Sequence, residues 1–226
     1  MSTRRSLAVV FAAWALATGC AATAVVPPAP RQDAAAPPPV RAPESPEPPT
    51  SDPPAAPTDP WRAAAALGEH HRHLEGFVGE WTVTSRFWSA PDSAPVSSGG
   101  TMSARLILEG RFVQLDYTGE LPGEDGAGVP FGGLGLLGFD NLEQWHVGLW
   151  MDTVSTAVLA QQGVCDAEGG RLTLTGTFAD PATGERRTLR TEYRFDGPDR
   201  FVMEHHLPDA EGREYRALEV VHERRD

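Results

Sequence analysis

Two tryptophans and two carboxylates stand in stretches of this sequence that are otherwise apolar: Trp88, Trp150, Asp152 and Glu219. Successive side chains of a strand alternate between faces, so His146, Trp150 and Asp152 share one face, and Glu219 sits on one face between Ala217 and Val221. A carboxylate buried on such a face needs hydrogen-bonding partners. Aromatic walls with a few polar anchors are the usual make-up of a small-molecule pocket. Trp88, Trp150, Asp152 and Glu219 are therefore the candidate ligand-binding residues. The competing role for Asp152 is a cap on the turn formed by residues 153–155.

The histidines suggest metal chemistry and do not carry it alone. His70, His71 and His73 fall on an expected exposed helix, where His70 and His73 share a face. No cysteine or carboxylate framework accompanies them, so no metal site is expected. His205 and His206 are neighbours on a strand and point to opposite faces. One of these, or His222, is placed to face inward as an axial haem ligand. Cys165, beside Asp166 and a turn, reads as an inert thiol.

Other chemistry is excluded by spelling. The 19 basic residues are all arginine, so a P-loop lysine, a lysine Schiff base and a Ser–Lys dyad are ruled out. The sequence has no G-x-S-x-G, no H-E-x-x-H and no C-x-x-C, and no catalytic residue is assigned. Gly133-x-Gly135-x-x-Gly138 spells a dinucleotide loop but opens no helix. It reads as a small-residue strand approached by another backbone or a ligand, and the glycine-rich stretch Gly119–Gly138 as a lip at a barrel mouth. The net charge of −12 argues against nucleic acid, which needs a clustered basic face.

The elements that must position these residues begin after a leader and a linker. Arg4 and Arg5 precede an apolar run, Leu7–Ala17, that is too short for a stable span and fits a signal peptide. It ends in Leu16-Ala17-Thr18-Gly19-Cys20, which resembles the bacterial lipobox and makes Cys20 the expected lipidation site. Ala21 follows in place of an inner-membrane-retaining aspartate, so the expected address is the cell envelope, at the outer membrane of a Gram-negative host. Residues 21–60 hold 14 of the 21 prolines and no aromatic, the composition of a disordered tether.

Residues 61–226 read as one domain. A short helix is expected over Arg62–Phe77, and from there the hydrophobic period is two. Strands are expected at Glu80–Trp88, Gly100–Leu108, Arg111–Glu120, Phe131–Phe139, Gln144–Met151, Ala157–Cys165, Arg171–Phe178, Arg187–Phe195, Arg200–Leu207 and Glu214–Arg224. Turns such as Asp180-Pro181-Ala182-Thr183-Gly184 punctuate them. About ten strands in hairpin succession without intervening helices imply an all-β antiparallel meander, and closure into a barrel removes its edges.

Gly79-Glu80-Trp81 at the start of the first strand resembles the G-x-W signature of lipocalin-like barrels. In those barrels the tryptophan plugs one end beneath an arginine of the last strand, which implies barrel-base roles for Trp81 and Arg224. A longer set of blocks is similar to the bacterial domain-of-unknown-function family 1579. The set includes His73-Leu74-x-x-Phe77-Val78-Gly79-Glu80-Trp81, Leu108-x-Gly110-Arg111-Phe112-Val113, Gly138-Phe139-Asp140-Asn141 and Gly148-x-Trp150-x-Asp152. The resemblance implies an up-and-down lipocalin-like barrel and no established activity, with His222 standing where tyrosine is expected. The expected function is an envelope lipoprotein that binds a small, mainly apolar ligand and contacts the membrane through its anchor. The alternatives are a tethered interaction module with a filled barrel, or a haem-binding barrel like the related nitrobindins.

Overall fold

The computed structural model describes residues 59–226 apart from 124–127, 167 and 182. The expected signal peptide, Cys20 and nearly all of the tether lie outside the described residues. Ten strands close into one ring: β1 (Gly79–Phe87), β2 (Val96–Ile107), β3 (Phe112–Pro122), β4 (Gly128–Asp140), β5 (Trp145–Asp152), β6 (Leu159–Cys165), β7 (Arg171–Ala179), β8 (Arg186–Phe195), β9 (Arg200–Pro208) and β10 (Glu214–Arg224). Each pairs antiparallel with its chain neighbours, and β1 pairs with β10. The expected all-β up-and-down barrel is the observed fold. β2 starts before the expected Gly100 because Val96 already pairs with Phe87.

The expected helix over Arg62–Phe77 is three short pieces: α1 (Pro60–Ala64), α2 (Glu69–His73) and a 3-10 turn (Leu74–Phe77). Gly68, in an extended conformation, interrupts the run. Its amide donates to His71 Nδ1 at 3.1 Å, which satisfies one orphan donor at the start of α2. α1 is solvated as expected and His70 is exposed, whereas α2 packs across one end of the barrel and buries His71 edge-on to Phe139.

One end of the barrel is sealed. The 3-10 turn buries Leu74 and Phe77 at that end, beside a Trp81 that is 0% exposed. Trp81 Nε1 donates to the Phe77 carbonyl at 2.9 Å. The Arg224 guanidinium lies 4.3 Å above the indole and donates to the carbonyls of Val78 (3.0 Å) and Pro198 (2.8 Å). Gly79, at φ +140°, is required here, since a Cβ would fall 2.2 Å from an Arg224 nitrogen.

Above the seal, Phe201 meets Trp81 edge-on at 4.8 Å and stacks on His222 at 3.9 Å. His222 Nε2 and the Tyr117 hydroxyl are hydrogen-bonded at 2.5 Å. Burial pulls His222 down to about 3, against the opposing pull of the Phe201 and Val220 backbone. Burial, with Tyr193 nearby, holds the Tyr117 phenol well above its ordinary value. Both groups are therefore neutral across the physiological range.

Two outcomes follow from this packing. Trp81→Ala should cost about 3–5 kcal/mol, as for a large buried aromatic. Arg224→Ala should cost less, and in the double variant the losses should not add, because the two side chains share one contact. Urea unfolding measures this, and additive losses would contradict the stacking. His222 gives the second outcome. Its folded value lies below the unfolded ~6.5, so its contribution is complete above pH ~6.5 and is lost as pH falls toward 3. One such proton changes stability by about 1.4 kcal/mol per pH unit. In His222→Gln, the slope of stability against pH between about 6.5 and 4 should fall by one proton's worth. An unchanged slope would contradict the assignment.

Candidate functional site

The end of the barrel away from Trp81 is not filled by side chains. A cavity of about 440 Å³ lies there, walled among others by Val83, Phe87, Leu115, Tyr117, Phe131, Trp150, Leu189, Met203 and Leu207. These residues share the inward face of their strands with the sealed core, because inward positions recur every second residue. Tyr117, and His222 beneath it, form the floor.

Trp150 is the most constrained wall residue. Its indole nitrogen donates to Asp152 Oδ2 at 2.9 Å, and its ring lies edge-on to Tyr117 at 5.3 Å and stacked on Phe131 at 6.3 Å. Gly133 provides the seat: a Cβ there would fall 2.4 Å from the indole. The glycines of the dinucleotide spelling thus lie in β4, and the first of them makes room for an aromatic ring. Gly119–Pro122 and Gly128–Gly138 are paired strand rather than a free lip, and residues 124–127 lie outside the described residues.

Asp152 combines the two roles considered for it. It lines the cavity, and its Oδ1 accepts from the Val154 amide at 3.1 Å while Oδ2 holds Trp150. A carboxylate engaged in this way orients the tryptophan and caps the turn.

Two of the expected site residues lie elsewhere. Trp88 follows β1 with the outward parity of Thr82, Thr84 and Arg86, and the Arg216 guanidinium covers its ring at 4.4 Å. Glu219 is buried on the outer wall, ion-paired with Arg86 and bonded to Arg216 at 2.5 Å. The cause is a β-bulge between Arg216 and Leu218, which turns Leu218, Val220 and His222 inward and Glu219 outward. Trp88 and Glu219 are therefore corrected from cavity residues to a polar cluster on the outside. Arg216 also reaches Glu204 at 2.8 Å there, and Glu204 meets His206 at 3.3 Å. Desolvation of Glu204 is outweighed by these bonds, which lower its pKa.

The cavity has polar groups that the candidate set omitted. His205 lines it from β9, and burial, reinforced by the charge of His206, lowers it to about 4, so the ring is neutral. Gln161 lines it from β6 and donates to Thr191 Oγ1 at 2.7 Å. Thr191 faces His205 across β8 and β9. Strand parity marks both as inward, but a neutral glutamine in an alternating strand gives no sign that the opposite face is hollow. His222, proposed as an inward histidine, does face inward and is occupied by Phe201 and Tyr117.

At the sealed end the structure assembles a group that the sequence scatters. α2 carries His70 and His73 to His146 on β5, and one ring nitrogen of each lies within 4.8 Å of the others. Cys165 is partly buried, and burial, then Asp166, raises its thiol pKa.

The barrel is similar to several solved structures. Rv2717c from M. tuberculosis superposes with a TM-score of 0.52 at 15% identity, over 71% of this chain and 100% of that one. The S-type phycobiliprotein lyase CPES from Guillardia theta gives 0.46 at 12% identity, over 69% and 92%. EF1p2_mFAP2b bound to DFHBI gives 0.38 at 14%, over 70% and 100%. The first of these shows the shared fold. No curated protein matches the chain significantly. The family model described as protein of unknown function (DUF1579) matches residues 66–224, and the chain belongs to that family.

Proposed function

We propose that the cavity binds a small, mainly apolar molecule and that a lipid on Cys20 holds the barrel at the cell envelope. The observation that carries the first part is the cavity itself. Its volume of about 440 Å³ falls in the range of small-molecule sites, about 300–1,000 Å³. Its walls are aromatic and aliphatic, and its polar groups are few and fixed in place. Trp150 presents a flat apolar surface held by Asp152, and His205 and Gln161 offer neutral hydrogen bonds to a hydroxyl or carbonyl. A filled barrel acting only as an interaction module has no use for such space. A haem-binding barrel is the second reading, favoured by the uncharged His205 in the wall.

The envelope address rests on Leu16–Cys20 and on Ala21, which favours the outer membrane of a Gram-negative host. Cys20→Ser should move the protein from the membrane fraction to the soluble fraction with the barrel still folded. A variant that still pellets with salt-washed membranes would contradict the anchor.

Fatty acids, isoprenoids and haem titrated into the full chain should include at least one that quenches tryptophan fluorescence and raises Tm with concentration. Trp150→Ala should weaken that binding at least ~10-fold, the loss of about 1.4 kcal/mol of contact. Trp88→Ala and Trp61→Ala should leave it unchanged, since neither ring lines the cavity. A panel without any thermal shift, or equal losses in all three variants, would contradict the site. For haem, a Soret band that survives His205→Ala would remove that reading.

A further inference from the structure

The histidine group at the sealed end lies on the far side of the floor from the cavity and takes no part in ligand binding there. His70 is exposed, His73 is half-buried, and His146 is 2% exposed. They come from two elements, α2 and β5, and each directs one ring nitrogen into a common space, all three within 4.8 Å of one another.

A second observation points to a ligand. Nδ1 of His73 and Nδ1 of His146 are buried and make no hydrogen bond. Buried polar atoms are nearly always paired, and two unpaired imidazole nitrogens within one group of three histidines are a cost that packing alone does not recover. Phe139 fixes the rings, stacking on His70 at 4.1 Å and meeting His146 edge-on at 5.0 Å. His71, the remaining histidine of α2, is excluded because its Nδ1 accepts from the Gly68 amide.

We propose that His70, His73 and His146 form a three-nitrogen site for one divalent transition-metal ion of the zinc class, which clamps α2 to the barrel wall. Imidazole nitrogens suit zinc, copper and nickel, and three of them leave a fourth position for water on the exposed His70 side. A tetrahedral ion with bonds of about 2.0–2.1 Å holds its nitrogens ~3.4 Å apart. The ion joins an element near the start of the domain to a strand about seventy residues later, and metal affinity then adds to the stability of the fold.

The test uses the full chain, stripped with a chelator and titrated with Co²⁺ and then Zn²⁺. One equivalent of Co²⁺ should give visible d–d absorption of tetrahedral character, Zn²⁺ should displace it, and Tm should rise with Zn²⁺ concentration. His70→Ala removes an exposed side chain, so the apo fold should persist while Zn²⁺ affinity falls at least ~10-fold. His73→Ala should do the same. His206→Ala, on the outer wall beside Glu204, should bind as the parent does. Absence of the d–d band and of any thermal shift would overturn the site. So would binding that is indifferent to His70 or lost equally in His206→Ala.

Discussion

The Arg224 guanidinium lying on the Trp81 indole ties the last residues of β10 to the first residues of β1. Its other donors reach the carbonyls of Val78 and Pro198. One side chain thus joins the entry to β1, the turn before β9 and the end of the sheet, and it does so at the point where the ring closes. With that end sealed, the 3-10 turn, Phe201 and His222 stack inward in succession and form a floor. A ten-strand ring is wider than the eight-strand ring whose interior side chains just fill. Beyond the floor the interior is therefore a cavity.

Charge follows the same division between inside and outside. Interior polar groups are neutral or fully engaged: His205 and His222 are held uncharged, and Asp152 is bonded by Trp150 and Val154. The buried ion pairs sit on the outer wall, where Glu219 is covered by Arg86 and Arg216, and Arg216 in turn lies on Trp88. Such pairs cost desolvation when formed, and losing one partner leaves an uncompensated charge. Their place is structural, and it keeps these pairs off the cavity walls.

The strand pattern was legible because each strand has one buried face and each turn is spelled in glycine, proline and aspartate. The alternation of Leu189, Thr191 and Tyr193 against Arg190, Glu192 and Arg194 is the clearest instance. Trp150 and Asp152 were legible for the same reason, by parity on β5. What parity cannot register is a break in itself. The bulge at Arg216–Leu218 reverses the facing of Glu219, and Trp88 continues the outward phase of β1 past its end. Gly68 divides the helix because its amide finds a partner in His71, a local competition that a helical period does not record. The meeting of His70 and His73 with His146 depends on where α2 lands on the barrel, and no local signal carries that.

On the proposed function, the space above Tyr117 and His222 holds a small apolar molecule. Native mass spectrometry of the gently purified full chain is the test. A non-covalent adduct of one small apolar molecule per chain is expected in the wild type and should be depleted in Trp150→Ala. A wild-type spectrum with only the covalent mass of the chain would overturn that reading.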